Sequence, residues 1–331
     1  MVIVQLVQKL QRTRPLHCVQ LAAPRIGSRP AGLLMLATMA AGCAGGGGAG
    51  PAAVTPAVTP AYPPVTTLSR AASDGDSYRA DADTGQLVPA PSASHGSLVW
   101  TAGRLSEVSL EVSVPSAGLT FSETFTNPAT QLLEIAPGNS VALYVAEKTA
   151  SDGSQRSLLL LDPTSAGLSY ATLGSWSYAS SAAATSHYAA RFHLGSETRG
   201  RDIPTSGTGS FAGVMLGTFA DGTALYNVSA AARAQADFAA RRVTLNTDSS
   251  RRVALGSPGA AVDDPSLNLS GTLSYASGSN AMSGALSAGD MSGPSSAKFY
   301  GPAAAEMGGS YAVQNGDGSR QMIGSYVLRK Q

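Results

Sequence analysis

The sequence predicts an all-β protein. It has a small β-rich domain, then a longer run of strands, both behind an unstructured N-terminal tether. Three observations predict this. Val108, Leu110, Val112 and Val114 alternate with Ser109, Glu111 and Ser113, the period-two pattern of a half-buried strand. Leu267, Leu269, Leu273 and Tyr275 alternate in the same way with Asn268, Ser270, Thr272 and Ser274. Charged residues make up 13% of the chain, about half the usual quarter. Abundant Gly, Ala and Ser favour small-residue strands and linkers over a large helical core.

Residues 1–42 read as a secretion signal. Lys9, Arg12, Arg14, Arg25 and Arg29 are its only charges, and Ala31 to Ala41 is a short apolar run. About 11 residues is too short to span a bilayer, which takes about 20, and suits the apolar core of a signal peptide. The run ends Ala40-Ala-Gly-Cys43, which resembles a bacterial lipobox. Small residues let the chain enter the peptidase, and the Cys43 thiol carries the lipid. Removing residues 1–42 leaves 17 basic and 21 acidic residues, a net charge near −4. No basic stripe of the kind nucleic acid requires remains. With Cys18 removed and Cys43 lipidated, no thiol pair is left for a disulfide.

Residues 43–94 are expected to be a lipidated cysteine and a disordered Gly/Pro-rich linker, with five prolines from Pro51 to Pro64. Proline at that density favours extended, unpaired chain. Residues 95–167 change character. Leu119 to Phe125, Val141 to Lys148 and Ser157 to Leu161 join the alternating run as strands. Asn127-Pro128, Pro137-Gly-Asn139 and Ser151-Asp-Gly153 punctuate them. From residue 168 the strands lengthen. Candidates fall at 168–178, 187–195, 207–219, 223–238, 241–248, 266–276, 280–288, 308–315 and 321–329. The last two form a closing hairpin around Asn315-Gly-Asp-Gly318, a dense turn signal.

The closing stretch carries a resemblance. Phe299-Tyr-Gly-Pro302 and Ala305-Glu-Met-Gly-Gly309, followed by an aromatic, resemble the closing motif of the transferrin-binding protein B barrel. Gly195-x-Glu-Thr198, Ile203-Pro204-x-Ser-Gly207, Phe211-Ala-Gly213 and Ala236-Asp-Phe238 fall in the same order as that family's motifs. Tyr170-x-x-x-Gly174-x-Trp176 resembles the first barrel strand. The resemblance implies an eight-stranded antiparallel up-and-down barrel over 168–331, with 95–167 in the place of the family's handle domain. Nine candidates for eight places imply that one pair is a single bent strand, most simply at Asp237-Phe238. It also implies a barrel filled by its own side chains, with binding through outside loops.

The residues supply no catalytic constellation. His187 and His193 share a strand but stand about 20 Å apart at ~3.3 Å per residue, too far for one metal; they read as solvated or rim histidines. Glu306 reads as a structural acceptor for turn amides near Gly308-Gly309. Asp237 reads as a strand-end turn former beside a core Phe238. Asp263-Asp264 lacks the spaced ligands of a calcium loop. Asn227-Val-Ser229 is a chance glycosylation sequon. Trp100 and Trp176 read as packing residues. Arg199, Arg201, Arg251 and Arg252 lie in segments read as loops, and suit an acidic partner or plain solvation.

The expected function is that of an outer-membrane lipoprotein, lipid-attached at Cys43 and facing the surface or the periplasm. It binds an extracellular protein or metal-carrier ligand without catalysis, with no cofactor and no metal. A TonB-dependent receptor or lipoprotein translocator is the expected envelope partner, and the protein is expected to be a monomer that binds no nucleic acid. The alternative is a structural envelope lipoprotein with no dedicated nutrient ligand. Detergent partitioning checks the anchor: Cys43→Ala should release the protein from the membrane fraction or leave it unprocessed, and unchanged partitioning would exclude Cys43 as the attachment point.

Overall fold

The computed structural model describes residues 62–68, 71–72, 74–255 and 260–331. Cys43, the signal and most of the linker lie outside the described residues. The described chain is built from strands, with 3-10 turns as its only helices. No helix among the described residues is long and apolar enough to cross a membrane.

The strands in order are β1 (Ala71–Ala72), β2 (Asp74–Asp81), β3 (Gln86–Pro89), β4 (Ala93–Thr101), β5 (Arg104–Val114), β6 (Leu119–Thr126) and β7 (Ala129–Ala136). Then come β8 (Asn139–Thr149), β9 (Gln155–Leu161), β10 (Ala171–Ala179), β11 (Ser186–Gly195), β12 (Thr208–Ala220), β13 (Leu225–Asp237) and β14 (Arg242–Ala254). Last are β15 (Val262–Asp263), β16 (Ser270–Tyr275), β17 (Met282–Ala288), β18 (Met291–Tyr300), β19 (Glu306–Gln314) and β20 (Gln321–Lys330).

Eight of these close a barrel. β12, β13, β14, β16, β17, β18, β19 and β20 each pair antiparallel with the next, and β20 returns to pair with β12. Closure leaves no free edge within the ring. The short β15 attaches to the end of β14. Large side chains fill the interior: Phe211, Phe219, Phe299, Tyr311 and Tyr326 are all at most 2% exposed. Small residues opposite them make the room. Ala230, Ala232, Ala234 and Ala236 line the inner face of β13. A Cβ on Gly324 would lie 2.4 Å from the Tyr311 hydroxyl, and one on Gly217 2.5 Å. The Tyr311 hydroxyl reaches Met215 Sδ at 3.0 Å, and Tyr326 shares a hydrogen bond with Ser295 at 3.1 Å.

In front of the barrel lie two sheets. One has the order β1-β4-β5-β6, and the other β3-β2-β11-β10-β9-β8-β7. The larger sheet is a middle layer whose central strands, β8 to β11, are buried on both faces over much of their length. This explains the unbroken run Leu158–Leu161, since a strand covered on both sides has no polar face to supply. Leu158 and Leu160 pack with Trp176, Phe192, Val108 and Phe121 under the smaller sheet. Leu159 and Leu161 pack with Leu173, Val214, Leu216 and Val327 against the barrel wall. Each such fully buried side chain contributes about 1.5–3 kcal/mol. The sandwich is closed along β6 by an inward carboxylate: Glu123, 7% exposed, bonds Lys148 at 2.5 Å and Arg156 at 2.9 Å. A charge pointing inward from an edge strand also discourages edge-to-edge pairing.

Several expectations need correction. The unstructured tether does not extend to residue 94, because β2, β3 and the start of β4 are strands. β2 is polar yet ordered: it pairs with β11, and its Tyr78 and Ala80 pack against the barrel wall. Residues 171–179 are not the first barrel strand. β10 and β11 pair with β9 and β2 in the middle layer. No bent strand is needed at Asp237-Phe238, where β13 and β14 are separate and joined by a turn. Asp237 Oδ1 accepts the Ala240 amide there at 2.9 Å, and Arg241 has φ 54°. The missing eighth strand is β18, hidden by Gly293-Pro294. Its register with β19 skips from Ser292 to Ser295, so the proline, which has no amide hydrogen, sits where the ladder is already interrupted.

Barrel closure sets a stability prediction. Deleting Gln321–Gln331 removes β20, exposes the edges of β12 and β19 and strips Tyr326 and Leu328 from the interior. Thermal unfolding followed by circular dichroism should lose its cooperative transition. A cooperative melt near that of the intact protein would refute the closing role of β20.

Candidate functional site

The chemistry-bearing side chains converge on the joint between the middle layer and the barrel wall. The local sequence places them there. On β11, Ala190, Phe192 and Leu194 face the smaller sheet, so alternation sends Arg191 and His193 to the barrel side. Arg191 is 3% exposed. It donates to Thr218 Oγ1 at 2.9 Å, to the Gly217 carbonyl at 3.3 Å and to Asn227 Oδ1 at 3.0 Å. Thr218 and Asn227 are cross-strand neighbours on β12 and β13, so one guanidinium spans two barrel strands. The planar fork suits this, because its donors are fixed in direction. Tyr78 shares a hydrogen bond with the same Thr218 hydroxyl at 2.9 Å. His193, 1% exposed, shares one with the Tyr300 hydroxyl at 2.6 Å. Asp76 faces Arg191 in the β2–β11 register. Burial pushes its carboxyl above the usual range, against a hydrogen bond from Ser310.

Glu306 is the second node. It is 3% exposed and accepts three consecutive backbone amides: Ser169 at 2.6 Å, Tyr170 at 2.9 Å and Ala171 at 2.8 Å. Burial pushes its carboxyl up, and the three amides oppose that shift by favouring the ionised form. The sequence identified Glu306 as structural but assigned it the nearby turn. The actual donors lie 135 to 137 residues earlier, at the entry to β10.

The other residues singled out in the sequence take up positions away from catalysis. His193 is a buried joint residue rather than a rim histidine, and His187 is half-buried on the same strand. Asn227 is occupied by Arg191, which is a poor setting for a glycan. Trp176 is buried core, and Trp100 packs edge-on against Tyr144. The segment 249–266 is not one loop: β14 runs to Ala254, and its two arginines are paired. Arg251 bonds Glu134 at 2.8 Å and Asp263 at 3.1 Å. Arg252 bonds Asp264 at 3.0 Å and stacks over Tyr226. Asp264 also caps the following 3-10 turn through the Ser266 amide. Arg201 is solvent-facing beside Asp202, and Arg199 stacks over Tyr62. Among the described residues no cluster of three or more His, Cys, Asp or Glu is placed to hold a metal. The signal that sequence reading missed was the polar pair Arg191 and His193 inside an otherwise apolar strand.

Glu306 gives a measurable consequence. Glu306→Ala orphans three buried amides and should cost about 3 kcal/mol in urea denaturation. Glu306→Gln keeps one acceptor oxygen and should cost roughly half as much. Equal losses would show that the charge, not the amide contacts, carries the effect.

Residues 163–330 match the family described as the C-lobe and N-lobe β barrels of Tf-binding protein B. No curated protein matches. Among solved structures, a double mutant of transferrin binding protein B from Haemophilus parasuis Hp5 aligns at 13% identity. The alignment covers 72% of this chain and 53% of that one, with a TM-score of 0.43. The isotype 1 protein from serogroup B Neisseria meningitidis aligns at 15% identity over 72% of this chain and 52% of that one, with a TM-score of 0.36. A protein described as a surface lipoprotein aligns at 12% identity over 77% and 98%, with a TM-score of 0.34. The chain spans about half the length of the first of these relatives. The family match covers more than half of the chain, includes the complete barrel and begins just before the amides that Glu306 holds: this chain belongs to the transferrin-binding protein B barrel family.

Proposed function

We propose that the protein is a non-catalytic binding module, carried on a lipid at Cys43 in the outer membrane, that captures a protein or metal-carrier ligand. One observation supports this best: the first described residues, Tyr62 and Val65, pack at one end of the barrel, and a second group of turns lies at the other. The Val65 amide donates to the Ser169 carbonyl at 2.7 Å, and Tyr62 donates to Asp202 at 2.5 Å. Ser169 and Asp202 lie by the barrel end that carries turns 238–241, 276–281 and 301–305. Turns 221–224, 289–290 and 315–320 are at the opposite end. The 82–85 turn packs against them, since a Cβ on Gly85 would lie 2.4 Å from the Ala224 amide. Loops on a rigid scaffold commonly carry recognition, and the turns at this second end lie away from Tyr62 and Val65.

Among the described residues, Arg191, His193 and Glu306 each hold the joint together through the contacts given above. Transferrin is the first ligand to test, since related proteins bear its name. It is not assigned, because this chain spans only about half their length. A TonB-dependent receptor or lipoprotein translocator is the envelope partner that this reading requires.

Surface plasmon resonance on the immobilised full chain tests the proposal, with iron-loaded transferrin and then proteins recovered from culture medium as analytes. Saturable binding should weaken at least tenfold when 315–320 is replaced by a two-residue Asn-Gly turn. The same replacement of 276–281 should leave it unchanged. The reverse pattern would place recognition at the tether end. No saturable analyte at all would favour the structural envelope lipoprotein.

A further inference from the structure

The two ends of the barrel carry opposite charge. At the end that holds the 238–241 and 276–281 turns, residues 199–205 lie across the mouth, because Ile203 is buried in the barrel core. Gly200 meets the 276–281 turn so closely that a Cβ there would lie 1.8 Å from the Gly278 carbonyl oxygen. Gly200, Gly278, Phe238 and Arg241 line one small cavity, so the three segments share a single face. Arg199 and Arg201 flank Gly200, and Arg241 and Arg242 end the β13–β14 turn; all four are exposed. Lys330 lies over the Phe238 ring, 4.9 Å from its centre.

Carboxylates offset only part of this charge. Asp202 is shared between Tyr62 at 2.5 Å and Arg201 at 3.9 Å. Asp237 is the register neighbour of Arg242 and accepts the Ala240 amide at 2.9 Å. Lys298 is matched by Glu197 at 2.7 Å, and Arg329 meets Glu306 through space. Five cations against two carboxylates remain on the face. The opposite end reverses the sign: Asp221, Asp264, Asp290 and Asp317 outnumber Arg252 and Arg320. Charge sorted to the two ends gives the molecule a field along the barrel axis.

Tyr62, the first described residue, belongs to the cationic face. Arg199 stacks over its ring, and the Arg199 amide donates to its hydroxyl at 3.1 Å. Every residue before Tyr62, Cys43 included, therefore joins the domain at this end. We infer that the cationic end docks on an anionic lipid surface, with its arginines donating to headgroup phosphates. Arginine forks match phosphate oxygens, and a cluster of about 4–8 Lys or Arg is what an anionic lipid surface attracts. The inference rests on the anchor proposed at Cys43 only for which membrane it meets. The contact itself needs no acyl group, so either can fail without the other.

Vesicle cosedimentation tests it. The protein is the processed chain from residue 43, carrying Cys43→Ala so that no lipid is attached and lacking the five bases of the signal. It should bind phosphatidylglycerol vesicles at least tenfold more tightly than phosphatidylcholine vesicles, and added salt should weaken the binding. Arg199→Gln, Arg201→Gln, Arg241→Gln and Arg242→Gln together should reduce it at least tenfold while the melting temperature is retained. Arg320→Gln, at the opposite end, should leave it unchanged. No binding to phosphatidylglycerol, equal binding to both lipids, a fourfold variant that binds as before, or an equal loss in Arg320→Gln would each overturn the inference. Heparin binding more tightly than the vesicles at equal charge would assign the face to a soluble polyanion and overturn it as well.

Discussion

Three consecutive amides at the entry to β10 converge on the Glu306 carboxylate at the start of β19. The rest of the architecture depends on that contact. The barrel closes by itself through β12 and β20, but its outer wall there carries Val214, Leu216 and Val327, which need a cover. The middle layer supplies the cover only if β10 starts at the correct height on the wall. Apolar packing does not fix height well, because a slide of one pleat replaces one aliphatic contact with another. A buried carboxylate does, since displacement leaves the acceptor and three donors unsatisfied at once. Arg191 performs the same task from β11, bridging β12 and β13 through Thr218 and Asn227. The joint therefore combines a hydrophobic layer for affinity with two polar nodes for registration.

This division leaves the barrel interior free of charge. Its interior is filled by aromatics and methionines, with Tyr311 seated over Gly217 and Gly324 and the alanines of β13 making room. A filled interior leaves no place for a ligand within the ring. Any recognition by this fold must occur on its outside, at the turns, at the joint or along the wall that the middle layer leaves bare.

What could be read from the sequence follows the same logic. β5 and β16 were legible because each has one buried and one solvated face, so alternation is visible. The closing hairpin was legible because Asn315-Gly-Asp-Gly318 has few uses other than a turn. β2 was not, since its sequence, DGDSYRAD, is polar and it is held by neighbours more than a hundred residues away. β18 was not, because a Gly-Pro pair reads as a break even where the ladder tolerates one. The strands β10 and β11 were found, but their sheet was not. Local pattern reports that a strand is buried and cannot report which neighbour buries it. For the same reason Glu306 was recognised as structural while its partners were missed: a carboxylate that binds amides across 135 to 137 residues leaves no spacing to read.

Arg251 and Arg252 show the limit from the other side. As sequence they looked like free cations on a long loop, available to an acidic partner. In the fold, β14 extends through them, and each is met by carboxylates from β15, from the 221–224 and 264 turns or from β7. Pairs this exposed add little stability, about 0–1 kcal/mol each, but they neutralise the surface they occupy. Arg329 is the contrasting case. Its register neighbour Glu306 is an acid, and simple cross-strand pairing would have joined them. The backbone takes that acid instead, so Arg329 meets Glu306 through space rather than as a close ion pair.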